Sequence, residues 1–405
     1  MTQTTRGVLA DPNTFIKSAP HELLAELRRT EPVSWQDMDG EPGFFAVLTH
    51  ADVVKVAREP NLFSASEGGV VLEDLEPANL AMMRNMLLAM DPPRHLRYRK
   101  PLADSFKAKV IAGLEAQIRG ICRDLMADAR DNGPVVEFVH DVTAGLPTRV
   151  MGQLMGLPEE DWAYLHELSE RGTSAQDPDI VGDEYAGSNV DMAMYAIAFA
   201  GSRRAALARQ EPPPEDLTTL ILEGTFDGHA MSDIDFGSFF VQLVTAGNDT
   251  TKTMLSSGLL ALLQHPEQLA ELRADPSLIP GALEEILRWA NPLHYFRRTA
   301  TADTELSGVT IGAGQKVAMY YTSANRDEKV FADSQRFDIH RSPNPHLSFG
   351  IAEHFCLGVH LARLEGRVFL EELLSAFPVI ELAGEPVHLR SNLNNAYKKL
   401  PVRLA

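Results

Sequence analysis

The stretch LSFGIAEHFCLGVHLAR, residues 347–363, holds Cys356, one of only two cysteines in a chain of 405 residues. The leucines and acids that follow recur at helical spacing and predict a helix over 357–376. Backbone N–H groups at a helix start stabilise negative charge and lower a thiol pKa. Gly350 and Gly358 let the backbone approach something flat or bulky, and Phe349 stands where it can shield the sulfur. Such surroundings suit a metal ligand or a nucleophile. A hydrolytic cysteine needs a base and an orienting group, and His354, two residues away on a tight loop, is expected to point elsewhere. The ordinary alternative for a lone cysteine is a buried, inert thiol.

Upstream, the apolar pattern predicts one long helix from Ser232 to about Gln264, opened by a Ser232–Asp235 capping pair. At 1.5 Å per residue it is roughly 48 Å long. It is apolar nearly all round, so it should be central and buried. Its middle, AGNDTT (246–251), breaks that character with a glycine, an acid, an amide and two hydroxyls. Gly weakens a helix by about 1 kcal/mol, and Thr can turn its hydroxyl onto a backbone carbonyl. Two readings stand: a polar stripe on a crevice or a helix end, and a local opening beside a reactive centre.

The rest of the chain bounds the answer. Length alone suggests two or three domains. Helical patterns also cover 20–30, 112–131, 145–170 and 190–210. Strand-like runs fall at 33–48, with a turn at Asp39-Gly40, at 308–320, with Gly312 and Gly314 as the turn, and around 387–403. The strands come from both ends and no βαβ alternation exists, which points to one integrated, mainly α fold with a small β-rich region. No stretch is apolar enough to span a bilayer. The first residues, MTQTTRGVLADPNTF, lack the marks of a signal peptide, so a cytoplasmic protein is expected. A net charge of −19 argues against nucleic acid and anionic membranes as partners. One stretch, RHLRYRKPLADSFKAK (94–109), opposes the trend with six Lys or Arg and one Asp.

Taken together, FGIAEHFCLG (349–358) resembles the haem-thiolate signature of the cytochrome P-450 superfamily. Further motifs stand in that family's order: AGNDTT resembles its oxygen-activation segment, EEILR (284–288) its Glu-x-x-Arg pair, ANRDEKVFADSQRFDIHR (324–341) the segment that completes the pair, and MDPPRHLRYRK (90–100) its haem-contacting helix. The resemblance covers essentially the whole chain. It implies the P-450 fold with a long central helix over haem, and a single haem-thiolate monooxygenase domain over 1–405 with no fused reductase. One letter departs: Ala352 stands where many members have Gly, and Ala tolerates positive φ poorly.

The resemblance assigns roles residue by residue. Cys356 is the iron's axial thiolate, which favours O–O cleavage in haem b, iron protoporphyrin IX. His95, Arg99, Arg298 and His354 meet the propionates, and Phe349 shields the sulfur. Asp249 and Thr250 form the acid–alcohol pair that relays protons to dioxygen, with Ala246 and Gly247 leaving room over the iron. Glu285, Arg288 and Arg336 form a structural ion-pair network. Because no flavin or iron–sulfur segment is present, electrons come from a separate ferredoxin and ferredoxin reductase. Arg94, Arg97, Lys100, Lys107, Arg363 and Arg367 form a basic surface for it.

The same resemblance places a pocket wall from Val70, Val71, Leu72, Met82, Met83 and Leu87, then Phe239, Leu243 and Val244 of the central helix, then Leu293, His294 and Phe296, and last Leu393 and Asn394. Such a wall is mainly apolar with a few polar anchors and implies a hydrophobic small molecule: a terpenoid, a steroid or a fatty-acid-like chain. Two other classes compete. A haem-thiolate protein that binds or senses a ligand without turnover needs no acid–alcohol pair, and a cysteine hydrolase is colourless.

Overall fold

A computed structural model describes residues 6–181, 187–226 and 228–405. Helix α1 spans His21–Thr30, α2 Arg94–Ala103, α3 Glu115–Asp131, α4 Gly145–Leu154, α5 Trp162–Thr173, α6 Ser188–Ala208, α7 Asp233–Leu263, α8 Ile279–Ala290 and α9 Val359–Ala376. The helix read over 145–170 is two, α4 and α5. Gly156 takes φ +64° and Pro158 follows, so the chain turns left-handed and cannot continue the helix.

The long central helix forms as its pattern dictates. Ser232 caps α7, its Oγ accepting from the Asp235 N–H at 3.1 Å. Most of the helix is buried against α4, α5, α6, α8 and α9. It passes through 246–251 without a break; the Thr250 Oγ1 donates to the Ala246 carbonyl at 2.7 Å. The polar segment is therefore a stripe on an intact helix, and neither a helix end nor an opening.

Five strands make the main sheet: β1 Val33–Met38, β2 Glu41–Val47, β3 Phe63–Ser64, β4 Tyr295–Ala300 and β5 Lys316–Tyr320, in the order β1-β2-β5-β4-β3. β1 and β2 form the hairpin read at Asp39-Gly40, with Gly40 at φ +75°. β5 pairs with β2 in parallel and with β4 antiparallel, so the two ends of the chain share one sheet. The run at 308–320 does turn at Gly314, but its halves part. Val309–Ile311 pairs with Thr304–Leu306, and β5 joins the main sheet. Near the C-terminus Val387–His388 pairs with Tyr397–Lys399, and Pro401–Leu404 bridges Ile380–Leu382 and Val135–Glu137. No helix among the described residues is long and apolar enough to cross a membrane.

Candidate active site

The cysteine loop is a compact turn before α9. The Cys356 N–H donates to the Phe349 carbonyl at 2.8 Å, closing the loop. Gly350 sits at φ +66° and Ala352 at φ +59°. Ala352 thus holds the left-handed conformation despite its Cβ, which costs about 1–2 kcal/mol. Burial raises the Cys356 pKa, opposed by the Gly358 N–H, Arg99 and Arg363. A bound metal cation removes the first effect outright, because a coordinating thiol is deprotonated.

Facing the loop is a cationic and imidazole wall. His95 of α2 is fully buried, and neither ring nitrogen has a hydrogen-bond partner among the described residues. The Nε2 of His354 is likewise unpartnered, and the two rings lie 4.4 Å apart. Burial, with Arg99 and Arg298 nearby, lowers His95 to about 4 and His354 to about 2. Arg298 of β4 is buried and, among the described residues, donates through Nη1 to the neighbouring Arg297 carbonyl at 2.8 Å. Buried donors left unpaired cost about 1–3 kcal/mol each. Anionic acceptors, such as the carboxylates of a haem, suit this wall, and Cys356 suits its iron.

In the middle of α7, between its partly exposed ends, the unburied positions are Gln242, Thr245, Ala246, Asp249 and Thr250, with Leu243 and Gly247 at the margin. They recur every three or four residues, so they form one face. Ala246 is exposed in the middle of a buried helix, which marks an open space beside it. Gly247 also serves helix packing: a Cβ there would sit 2.7 Å from the Met151 Sδ of α4, so Met151 would have to move. Asp249 points to α5. Its carboxylate accepts from the Ser169 and Thr173 hydroxyls at 3.0 and 2.9 Å and pairs with Lys252 Nζ at 3.1 Å. Lys252 also reaches Glu170 at 2.8 Å. A small crevice brings Asp249 and Thr250 together with Leu293 and Asn394. Gln242 and Thr245 were missed in the sequence; stepping back four positions from Ala246 and from Asp249 along the same face finds them.

The ion-pair network forms with one member exchanged. Glu285 and Arg288, both fully buried in α8, pair at 2.6 and 2.7 Å. The second cation on Glu285 is Arg341, at 3.1 and 3.2 Å, and the Asp338 N–H and Asn344 amide complete its shell. Arg336 is exposed and offers only its carbonyl, to Arg288 and Arg341.

Other expected positions divide. Val71, Met82, Met83, Leu243, Leu293, Phe296, Leu393 and Asn394 keep partial exposure, as a pocket wall must. Val70, Leu72, Leu87, Phe239, Val244 and His294 instead fill the cores. The His294 ring packs 4.6 Å from Phe15, and its Nδ1 bonds the Thr322 hydroxyl at 2.9 Å. Arg363 is held by Glu284 through two 2.7 Å bonds, and Arg367 by Glu115 and Glu371, so both serve the fold rather than an open basic surface. Arg97, Lys100 and Lys107 are exposed, Lys107 paired with Asp104, while Arg94 is tied to Arg84 and Asn85.

The family profile for cytochrome P450 matches residues 188–400, and the chain is 35% identical over 398 residues to a steroid C26-monooxygenase of Mycolicibacterium smegmatis, covering 96% of this chain and 91% of that protein. The chain belongs to the cytochrome P450 family. This P450 is also 37% identical over 391 residues to a methyl-branched lipid omega-hydroxylase of Mycobacterium tuberculosis, covering 94% and 90%. Among solved structures it resembles a Mycobacterium marinum cytochrome P450 in complex with pseudoionone, with TM-score 0.89, 36% identity and coverage of 100% and 99%. The P450 is a haem-dependent monooxygenase, and the donors around Cys356, His95 and His354 fit that cofactor.

Proposed function

We propose that this P450 hydroxylates the branched alkyl end of an apolar lipid, either a sterol side chain or a methyl-branched fatty chain. The observation that carries the reading is that the chain resembles, over more than nine-tenths of its length, both a steroid C26-monooxygenase and a methyl-branched lipid omega-hydroxylase. Their names share an oxidation at the end of a chain. The partly exposed Val71, Met82, Met83, Phe296 and Leu393 supply apolar, adaptable walls for such a chain, with Asn394 as a polar anchor.

Haem b, when bound, supplies the redox chemistry that splits dioxygen and inserts one oxygen atom into a C–H bond. Cys356 would hold the iron through Sγ, and His95, Arg99, Arg298 and His354 would anchor the propionates. The Thr250 hydroxyl passes protons from Oγ1, and Asp249 recharges it when its carboxylate turns from the Ser169 and Thr173 hydroxyls. The chain forms one cytoplasmic catalytic domain fed by a separate ferredoxin and its reductase. Exposed Arg97, Lys100 and Lys107 form the docking surface. Charge reversal at Arg97 and Lys100 should slow reduction and flatten its salt dependence; unchanged kinetics exclude that surface.

Spin-state titration of the haem protein tests the substrate class. A sterol with a branched side chain and a methyl-branched fatty acid should both shift the Soret band at low concentration, and a sterol lacking the side chain should shift it far less. Equal response to the truncated sterol, or none to either branched compound, overturns the assignment.

A further inference from the structure

A second cluster of metal-type donors lies beside the Asp249 crevice, which its member Glu170 lines. His140 is on the π-helical turn Val139–Thr143, and His166 and Glu170 stand four apart on one face of α5. One donor atom from each residue lies within 4.8 Å of the other two, and His140 Nδ1 is 3.7 Å from Glu170 Oε1.

Partners outside the cluster fix the imidazoles. The Lys398 carbonyl can only accept, so at 3.2 Å it takes the proton of His140 Nε2 and leaves Nδ1 with a lone pair. The Thr148 hydroxyl donates to the Ala144 carbonyl at 2.8 Å. Its oxygen, 3.2 Å from His166 Nδ1, is then an acceptor, and Nε2 keeps the second lone pair. Carbonyl and hydroxyl partners that set the tautomer are what orient metal-ligating histidines.

The charges nearby allow a cation. Lys252 Nζ contacts Glu170 Oε1 at 2.8 Å, and Asp249 balances that ammonium at 3.1 Å. Lys398 turns its own ammonium to Asp177 and Asp179 at 2.6–3.0 Å. Glu170 therefore leaves one net negative charge beside the two imidazoles.

We propose that His140, His166 and Glu170 form a binding site for a divalent transition-metal cation of the zinc class, separate from the haem. Two imidazoles and a carboxylate match that class and not magnesium or calcium, which prefer all-oxygen shells. Because the cation and Lys252 share Glu170, the site is coupled to the ion pair that holds Asp249.

Calorimetric titration of the chelator-dialysed haem protein with zinc chloride tests it. One saturable site per chain is expected, unaffected by excess magnesium. His140→Ala and His166→Ala should each weaken it at least about tenfold, and Thr148→Val, which frees the His166 tautomer, should weaken it by a similar factor. His340→Ala, which removes a surface histidine paired with Glu271, should leave it unchanged. His140 is exposed, so its variant keeps the fold, checked by an unaltered haem spectrum. Absence of stoichiometric zinc binding, or binding indifferent to His140→Ala and His166→Ala, overturns the proposal.

Discussion

The cysteine loop and the polar stripe of α7 are built by opposite means. Below, the cysteine loop rests on charge: Glu285 with Arg288 and Arg341, and Glu284 with Arg363 and His346. Above, α7 presents a stripe in which Asp249 is held by Ser169, Thr173 and Lys252, while the Thr250 hydroxyl bonds within its own helix and Ala246 borders open space. The lower side must hold one sulfur in one place. The upper side must admit a substrate and pass a proton, so its groups are left free to change partners. Fixed geometry comes from buried, fully bonded pairs, and reactivity from groups that are incompletely bonded.

If this contrast holds, substitutions below should act on stability and those above on chemistry. Glu285→Ala leaves Arg288 charged and unpaired in the core, costing about 3–5 kcal/mol, and should abolish folded haem protein in expression assays. Within the same network Arg341→Ala should cost about 1–3 kcal/mol, and Arg336→Ala, whose side chain is exposed, no more than about 0.5 kcal/mol by denaturant titration. Equal losses at the two arginines break the assignment of Arg341. On the upper side, Thr250→Ala should leave the melting point nearly unchanged. Product formation should fall by about 10²-fold while electrons still flow, now into peroxide.

Two smaller effects sharpen the lower side. Ala352→Gly relieves the left-handed strain of about 1–2 kcal/mol but loosens the unfolded chain by about 0.4–1 kcal/mol. A net gain of about 0–1.6 kcal/mol follows, read as a raised melting temperature. Glu284 gives a pH dependence. Burial raises its pKa, but hydrogen bonds from His346 and Arg363 outweigh that and lower it from 4.5 to about 2. Its contribution is present above pH 4.5 and is lost as pH falls toward 2. Acid unfolding of Glu284→Gln should lack that part of the slope, and an identical acid profile would contradict it.

Legibility in the sequence follows the same division. The pairing of Glu285 with Arg288 was readable because a buried ion pair demands fixed residue types at fixed spacing. The ends of α7 were readable because Ser232 and Asp235 carry the cap in their side chains. Arg341 was missed for Arg336 because both follow the same segment, and only the folded loop decides which side chain turns inward. The pocket wall was half legible. Leu72, Phe239 and His294 are apolar or bulky enough for a cavity, yet each fills a core, since hydrophobicity does not say which face of an element is solvated. The helix over 145–170 was misjoined although Gly156 and Pro158 marked the break.

The most direct test of the account is the carbon-monoxide difference spectrum of the reduced protein, recorded for the wild type and for Cys356→His. The wild type should show the strongly red-shifted Soret band of thiolate ligation, and the variant should keep haem, held by His95, Arg99, Arg298 and His354, but lose that band. A Cys356→His protein with the wild-type band would contradict the account.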